Sequence, residues 1–453
     1  MTDTIVAQST PHGISALALI RASGPDCLAI AEKLLRQSDL STAIPRQATF
    51  SRLRDASGNL IDEVVWIYYA DQASYTGEPM LEIMPHGNPI ICKKIIATFI
   101  DLGCRLAEPG EFTQRAYLNG KLNFSQVEGV LDVIHAQSDR ALFYARKHLT
   151  GESGRLIKGI VQELTSIRAE IEAYIDFPED ELPPEDQAGP LMRIRHLLET
   201  LSHFESTVRS REAIQNGIDT LIIGAPNVGK SSLMNALVGH RRALVSDQAG
   251  TTRDYIVERT FVGDYLINLF DTAGLNTHSL DQLESEGIER TLELIEQASF
   301  YLIVLDATQP EPQLPIEVTQ ALNPNNTLVL ANKMDLPSAH KHNDFLPNFP
   351  HIGISTFDHQ SILNLLDEWK KRIEQDLDTH EEEDVMFNHR QGSFIREAHK
   401  ELSEAQRILR ESQATELAAF HLIAASDSLV RINERVDHEA VLDDLFKRFC
   451  IGK

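Results

Sequence analysis

The run TLIIGAPNVGKSSLMNALVG at residues 220–239 limits what this 453-residue chain can fold into more than any other stretch. A short apolar, strand-like segment leads into GAPNVGKS, which matches G-x-x-x-x-G-K-[ST]. Apolar residues Leu233, Met234, Leu237 and Val238 then follow at helical spacing. A strand, a glycine-bearing turn and a helix in that order make a phosphate-binding loop. The glycines let backbone N–H groups approach phosphate oxygens, and the helix N-terminus adds a positive field. Lys230 is therefore expected to reach the β- and γ-phosphates, and the Ser231 hydroxyl to bind Mg²⁺.

Around this loop, residues 217–377 alternate short β-rich runs (TLIIGA, LINLFDTAG, FYLIVLDA, TLVLANKMD, HIGIST) with helical stretches. Such alternation indicates a mostly parallel sheet covered by helices. On either side the pattern is helical. Leu191, Ile194, Leu197, Leu198, Leu201, Phe204 and Val208 form one 3.6-period stripe; Ile395, Ala398, Leu402, Ala405 and Ile408 belong to another. Two amphipathic blocks that each need a partner, separated by an α/β block, read as one helical domain with an insertion. Residues 1–119 mix strand-like runs with two helical stretches and read as α+β. The expected order is thus an α+β domain over 1–119, the first helical block over 120–216, an inserted P-loop α/β domain over 217–377 and the second helical block over 378–453.

Further motifs sit where the inserted domain needs them. DTAG at residues 271–274 ends a strand, so Asp271 can hold Mg²⁺ through water and the Gly274 N–H can sense a γ-phosphate, with Thr272 and Ala273 between them. NKMD at residues 332–335 also ends a strand. Asp335 can accept hydrogen bonds from guanine N1–H and its 2-amino group. Adenine offers neither, which penalises ATP. With Asn332 and Lys333 beside it, this reads as a GTP site. GTTRD at residues 250–254 lies between the two phosphate motifs, and Thr252 is the expected second hydroxyl ligand of Mg²⁺. HIGISTFD offers Ser355 and Thr356 as the loop over the base. Position 275 is leucine, where many GTPases place a glutamine that orients the attacking water; leucine cannot do this, so either hydrolysis is feeble or another group supplies that function.

Composition excludes several classes. The longest apolar runs are too short to span a bilayer, and MTDTIVAQST lacks the form of a signal peptide. Four scattered cysteines (Cys27, Cys92, Cys104, Cys450) give neither a disulfide framework nor metal spacing, which fits a reduced, cytoplasmic protein. A net charge of −25 argues against a broad phosphate-binding surface, so RNA contact needs a local patch or a basic partner. The chain closes on FCIGK: either a hydrophobic anchor for the last helix, or a delivery of Cys450 and Lys453 into a site. The stripe Val441, Leu442, Leu445, Phe446 and Phe449 is expected to hold that helix, with residues 450–453 projecting beyond it.

Taken in order, DTIVAQSTP, LIRASG, SYTGEPMLEIMPHG, EPGEFTQRAYLNGKLN, AYIDFPED, GAPNVGKSSLMNAL, AGTTRDY, DTAGL, EGIER and RFCIGK give a resemblance over nearly the full length. The chain resembles the MnmE (TrmE) family of tRNA-modification GTPases, in the TrmE-Era-EngA-like superfamily. The resemblance implies a multidomain α+β protein. Its N-terminal domain is expected to have the folate-binding fold of the glycine-cleavage aminomethyltransferase, followed by an all-α domain with an inserted Ras-like G domain. It implies a homodimer that joins an FAD-dependent MnmG (GidA) partner in a heterotetramer or larger complex. GTP hydrolysis and a 5-formyl- or methylene-tetrahydrofolate one-carbon unit would then modify C5 of the tRNA wobble uridine.

By the same resemblance, GTP contacts fall on Asn227, Val228, Gly229, Lys230, Ser231 and Ser232, and on Ser246, Asp247, Gln248, Ala249, Gly250, Thr251 and Thr252. Asn227, Ser246, Gln248 and Thr251 are the implied K⁺ ligands. A fixed cation there offsets charge developing on the γ-phosphate. Glu284 is the implied water-positioning group, with Glu286 the alternative register. Folate would meet Arg21, Glu82, Lys121 and Lys453, with Cys450 a candidate nucleophile. Two other readings stay open: a ribosome-assembly GTPase switch, and a folate-dependent aminomethyltransferase with a regulatory G domain.

Overall fold

The computed structural model describes residues 3–35, 44–55, 57–176, 188–240, 257–271, 295, 298–312, 314, 316–337, 339, 342, 344–377, 385–411, 414–434 and 439–453. It forms two compact units: Met1–Leu131 with Leu149–Gly154 and Val430–Lys453, and Asp132–His148 with Arg155–Leu429.

In the first unit, strands β1 (Ile5–Gln8), β3 (Ile20–Ser23), β4 (Thr49–Arg54), β5 (Leu60–Tyr69), β6 (Met80–Met84) and β8 (Arg105–Leu106) form a sheet in the order β4-β5-β6-β3-β1-β8. All neighbours are antiparallel except β1 and β8. A separate two-stranded sheet pairs β2 (Ser15–Leu17) with β7 (His86–Gly87). The segment SALALIRAS is therefore two strands in two sheets. Side chains alternate across a strand. Ile20, Ala22, Leu81, Ile83, Val64 and Trp66 point into a core covered by helices α1 (Cys27–Leu35) and α2 (Pro89–Asp101). Arg21 and Glu82, directly opposite each other in register, therefore share the other face.

That other face is covered in part by α3 (Glu111–Leu118). Arg115 on α3 is fully buried. It donates to Asp3 O at 2.9 Å, to Glu78 Oε2 at 3.0 Å and to Glu111 Oε1 at 3.0 Å. Burial pushes the Glu111 carboxyl up, but hydrogen bonds from Arg105, the Glu108 N–H and Arg115 outweigh it and hold the group below its usual value. Glu111 and Arg115 of the EPGEFTQRAYLNGKLN motif thus brace α3 against β1, which seats Phe112 beside Ile5 and Ala7. The unit also holds the last helix, Glu439–Lys447, whose Phe446 packs with Phe449 on Tyr117, Phe124 and Val127.

In the second unit, β9 (Ile218–Ile223), β10 (Val257–Val262), β11 (Tyr265–Asp271), β12 (Phe300–Asp306), β13 (Thr327–Asn332) and β14 (His351–Gly353) run in the order β10-β11-β9-β12-β13-β14. Only β10 pairs antiparallel, with β11. A parallel sheet must be covered on both faces. One face meets Leu233 and Leu237 of the helix Lys230–His240 and Leu365 and Trp369 of the helix His359–Asp376. The other meets Val318 and Ile295. The long helix Ala188–Asn216 leads directly into β9 and packs along the helix His389–Glu411, so both apolar stripes are buried together. Ser210 on the first of these donates to Leu377 O at 2.8 Å, tying the start and the end of the inserted sheet domain to one helix. Among the described residues no helix is long and apolar enough to cross a membrane.

Candidate functional site

Asp271, Asp306 and Asn332 end β11, β12 and β13, and the phosphate-loop turn follows β9. Four strands thus deliver their C-terminal ends to one edge, where open α/β sheets bind ligands at the point of strand-order reversal. Gly229 lies at φ 103°, and a Cβ there would stand 2.3 Å from Asn332 Nδ2. Only glycine fits, because Asn332 Nδ2 donates to Val228 O at 2.8 Å and ties the end of β13 to the phosphate loop.

Lys230 is buried, and its Nζ donates to Gly224 O at 2.8 Å and Ala225 O at 3.0 Å. Burial pulls its ammonium below the usual lysine value, with the Asp271 carboxylate opposing. Ser231 Oγ donates to Asp271 Oδ2 at 3.1 Å. A hydroxyl and a carboxylate so close are hard oxygen donors that suit Mg²⁺ completed by water and phosphate oxygens. Lys333, at φ 67°, donates to Asn227 O at 3.0 Å and pairs with Asp306 Oδ2 at 2.6 Å. Burial raises the Asp306 carboxyl, yet the bonds from Lys333 and Thr308 win and hold it below its ordinary value. Asp335 is exposed and its carboxylate makes no hydrogen bond among the described residues.

Ser355 and Thr356 lie next to that loop, because Met334 N–H donates to Ile354 O at 3.0 Å. Ser355 is buried, and its Oγ accepts from Phe357 N–H at 3.3 Å while its carbonyl accepts from Ser361 Oγ at 2.8 Å. Its side chain therefore shapes the turn before the helix His359–Asp376. Ser232 and Asn227 are exposed at the loop, the latter at φ 64°. Ser246, Asp247, Gln248, Ala249, Gly250, Thr251, Thr252, Thr272, Ala273, Gly274, Glu284 and Glu286 lie outside the described residues.

In the first unit a cavity of about 490 Å³ is lined by Arg21, Arg46, Tyr69, Tyr75, Glu82 and Lys453, among others. Arg21 Nε and Nη2 both reach Glu82 Oε1, at 2.9 and 2.7 Å, and Tyr69 OH donates to Glu82 Oε2 at 3.0 Å. The Arg21 guanidinium lies 5.7 Å from the ring centres of both Tyr75 and Phe112. A carboxylate fixed between a cation and a phenol, beside aromatic faces, suits a flat heterocycle with ring donors.

Lys453 reaches this cavity because residues 450–453 do not project beyond the last helix, as the sequence led one to expect. They turn back onto the first strand. Ser9 Oγ donates to Gly452 O at 2.9 Å, Phe112 N–H donates to Lys453 O at 3.2 Å, and Ile451 bridges Pro109. The reason is local: Gly452 at φ 94° reverses the chain where a side chain would strike Gln8 O. Cys450 is exposed and is not among the lining residues, and Lys121 donates to Gln72 O at 2.7 Å instead of lining the cavity. Of the four implied folate residues, the structure gathers Arg21, Glu82 and Lys453.

Two family models cover the chain: "GTP-binding protein TrmE N-terminus" over residues 4–121 and "MnmE helical domain" over residues 124–450. The tRNA modification GTPase MnmE of Opitutus terrae is 44% identical, with 100% of this chain and 99% of that protein covered. That of Wolinella succinogenes is 38% identical, covering 100% and 98%. The chain belongs to the MnmE family of tRNA modification GTPases. A solved G domain, that of the T. maritima FeoB iron transporter, matches 35% of this chain and 98% of its own at 25% identity with a TM-score of 0.26, too low to add to the argument. For this MnmE family member, motif reading missed Asp306, Tyr69, Tyr75 and Arg46. Asp306 alone left a trace, as the acid ending the strand FYLIVLD.

Proposed function

We propose that this chain is a GTP hydrolase acting in tRNA modification, with a second, one-carbon site in its N-terminal domain. One observation carries the reading: a single MnmE-family chain holds both the Lys230–Ser231–Asp271 phosphate site and the cavity of Arg21, Glu82 and Lys453. The proposed domains are residues 1–119 for folate binding and dimerisation, 120–216 and 378–453 for the helical domain, and 217–377 for the G domain.

In this reading Lys230 and the loop amides neutralise and orient the phosphates, and Ser231 and Thr252 hold Mg²⁺, near which Asp271 stands. Asn227, Ser246, Gln248 and Thr251 hold K⁺, which supports the developing charge without a water-orienting side chain at Leu275. Glu284 orients the attacking water, and Asp335 selects guanine. A 5-formyl- or methylene-tetrahydrofolate supplies the one-carbon unit when bound. Glu82 accepts from the donors of its pterin, Arg21 holds Glu82 in place, and Lys453 meets its carboxylates. The acceptor is C5 of the tRNA wobble uridine, which gains an aminomethyl-type group such as carboxymethylaminomethyl. A homodimer works with an FAD-dependent MnmG-type partner, and the partner carries much of the RNA contact that a charge of −25 disfavours here.

The test is mass spectrometry of tRNA nucleosides from cells lacking this protein. C5-modified wobble uridines should disappear, then return with the native gene but not with Lys230→Ala. Unchanged wobble uridines would sink the reading.

A further inference from the structure

The cavity wall includes a cation that no sequence motif singles out. Arg46 stands at φ 64°, a left-handed backbone conformation that a side-chain-bearing residue keeps only when its surroundings impose it. Its N–H donates to Tyr68 O at 2.8 Å. Its Nε and Nη2 donate to Ala73 O at 3.2 and 2.6 Å, and among the described residues Nη1 has no acceptor.

Charges along the wall do not balance. Arg21 is neutralised by Glu82 at 2.7 Å. Arg46 and Lys453 have no carboxylate partner among the described residues, although both line the same cavity. Arg46 lines the cavity together with Tyr69, whose hydroxyl donates to Glu82. Two cations without side-chain carboxylate partners, beside one internally neutral Arg–Glu pair, suit a ligand that brings carboxylates as well as a polar ring. A guanidinium with spare N–H groups suits a carboxylate better than an ammonium does, since its planar fork matches the two oxygens.

We propose that Arg46 binds a carboxylate of the ligand's glutamyl tail, sharing that dianionic segment with Lys453, while Glu82 and Tyr69 hold the ring. This rests on the folate reading and adds to it the residue that selects for the tail. It makes Arg46 a binding residue with no part in the bond-making steps. The competing role is a strap, in which the two bonds to Ala73 O merely fasten a loop.

The full-length protein is titrated with 5-formyltetrahydrofolate and with 5-formyltetrahydropteroate, which lacks the glutamate. Native protein should bind the first more tightly. Arg46→Asn removes the charge but tolerates a left-handed backbone. It should weaken 5-formyltetrahydrofolate about tenfold, as loss of a charge-assisted hydrogen-bonded pair does, and leave the pteroate within twofold. Its melting temperature should hold or rise. Arg46→Lys should recover part of the loss. Equal losses for both compounds, no loss for either, or a loss that tracks a falling melting temperature overturns the assignment and leaves a strap. If native protein binds neither compound, the folate reading itself fails. If native protein binds both and the variant is indifferent, only the role of Arg46 fails.

Discussion

Replacing Gly452 with alanine tests what holds the tail. A Cβ at this position would stand 2.6 Å from Gln8 O, 2.8 Å from Ser9 Cα and 3.0 Å from the Gln8 carbonyl carbon. All are backbone atoms, so no side chain can rotate away to make room. The Cβ at positive φ costs roughly 1–2 kcal/mol, and the overpacking adds roughly 1–3 kcal/mol. Beyond Phe449 the tail is held by the Ser9–Gly452 and Phe112–Lys453 hydrogen bonds, a longer one from Arg21 Nη1 to Gly452 O at 3.4 Å, and the Ile451 bridge. Each such bond contributes about 1 kcal/mol net. The opposing sums are each roughly 3–4 kcal/mol, so the tail should release, the ratio of docked to undocked tail falling about a hundredfold or more. The last helix should stay, because Phe446 and Phe449 are each only 4% exposed and burial of such a ring contributes roughly 2–3 kcal/mol. Limited tryptic digestion followed by intact mass reads this directly. Cleavage after Lys447 or Arg448 sheds the last residues, and Gly452→Ala should lose them at least ten times faster, with faster hydrogen exchange at the Phe112 amide. Identical digestion and exchange in the two proteins would refute the argument that backbone contact at Gly452 pins the tail.

Asp335→Asn should shift preference from GTP toward xanthosine triphosphate, since the amide offers a donor to the 2-oxo group; competition binding with the two nucleotides checks it. GTP turnover should be fast in K⁺ and slow in Na⁺ at matched ionic strength, and equal rates reject the K⁺ assignment. Glu284→Ala should bind GTP normally but hydrolyse it on the order of 10²-fold more slowly; if Glu286→Ala is the crippled variant, the register shifts to that residue. Cys450→Ser should fold and hydrolyse GTP normally while tRNA modification falls, because thiolate chemistry is lost. Full modification by this variant assigns the tail a docking role alone.

Local chemistry made the nucleotide site readable. Asp271 and Asn332 end strands whose apolar runs announce them, Lys230 and Ser231 open the helix after the strand Ile218–Ile223, and parallel order alone brings these ends together. The helical stripes were readable for the same reason: Ile395, Ala398, Leu402 and Ala405 repeat at the helical period and are fully buried. The N-terminal cavity was legible only through the family resemblance, which implied Arg21, Glu82 and Lys453. Arg21 and Glu82 face each other through strand register, and Ser9 meets Gly452 across 443 residues of chain. No periodicity encodes such pairings. Arg46 and Tyr75 stand in irregular segments, where the spacing of residues says little about which way they turn. The tail was misjudged for a related reason: an apolar stripe shows that a helix is anchored, but only the positive φ at Gly452 decides that the chain then reverses.

The reversal at Gly452 also sets an order of events during synthesis. Arg21 and Glu82 leave the ribosome early, and the sheet that carries them needs little beyond Leu106 to close. Lys453 follows hundreds of residues later, a delay of tens of seconds at roughly 5–20 residues per second. Through that interval the nucleotide-binding sheet is translated and can fold, while the cavity still lacks one wall. A chain cut short anywhere after the inserted domain would thus keep its phosphate loop but carry an unfinished cavity.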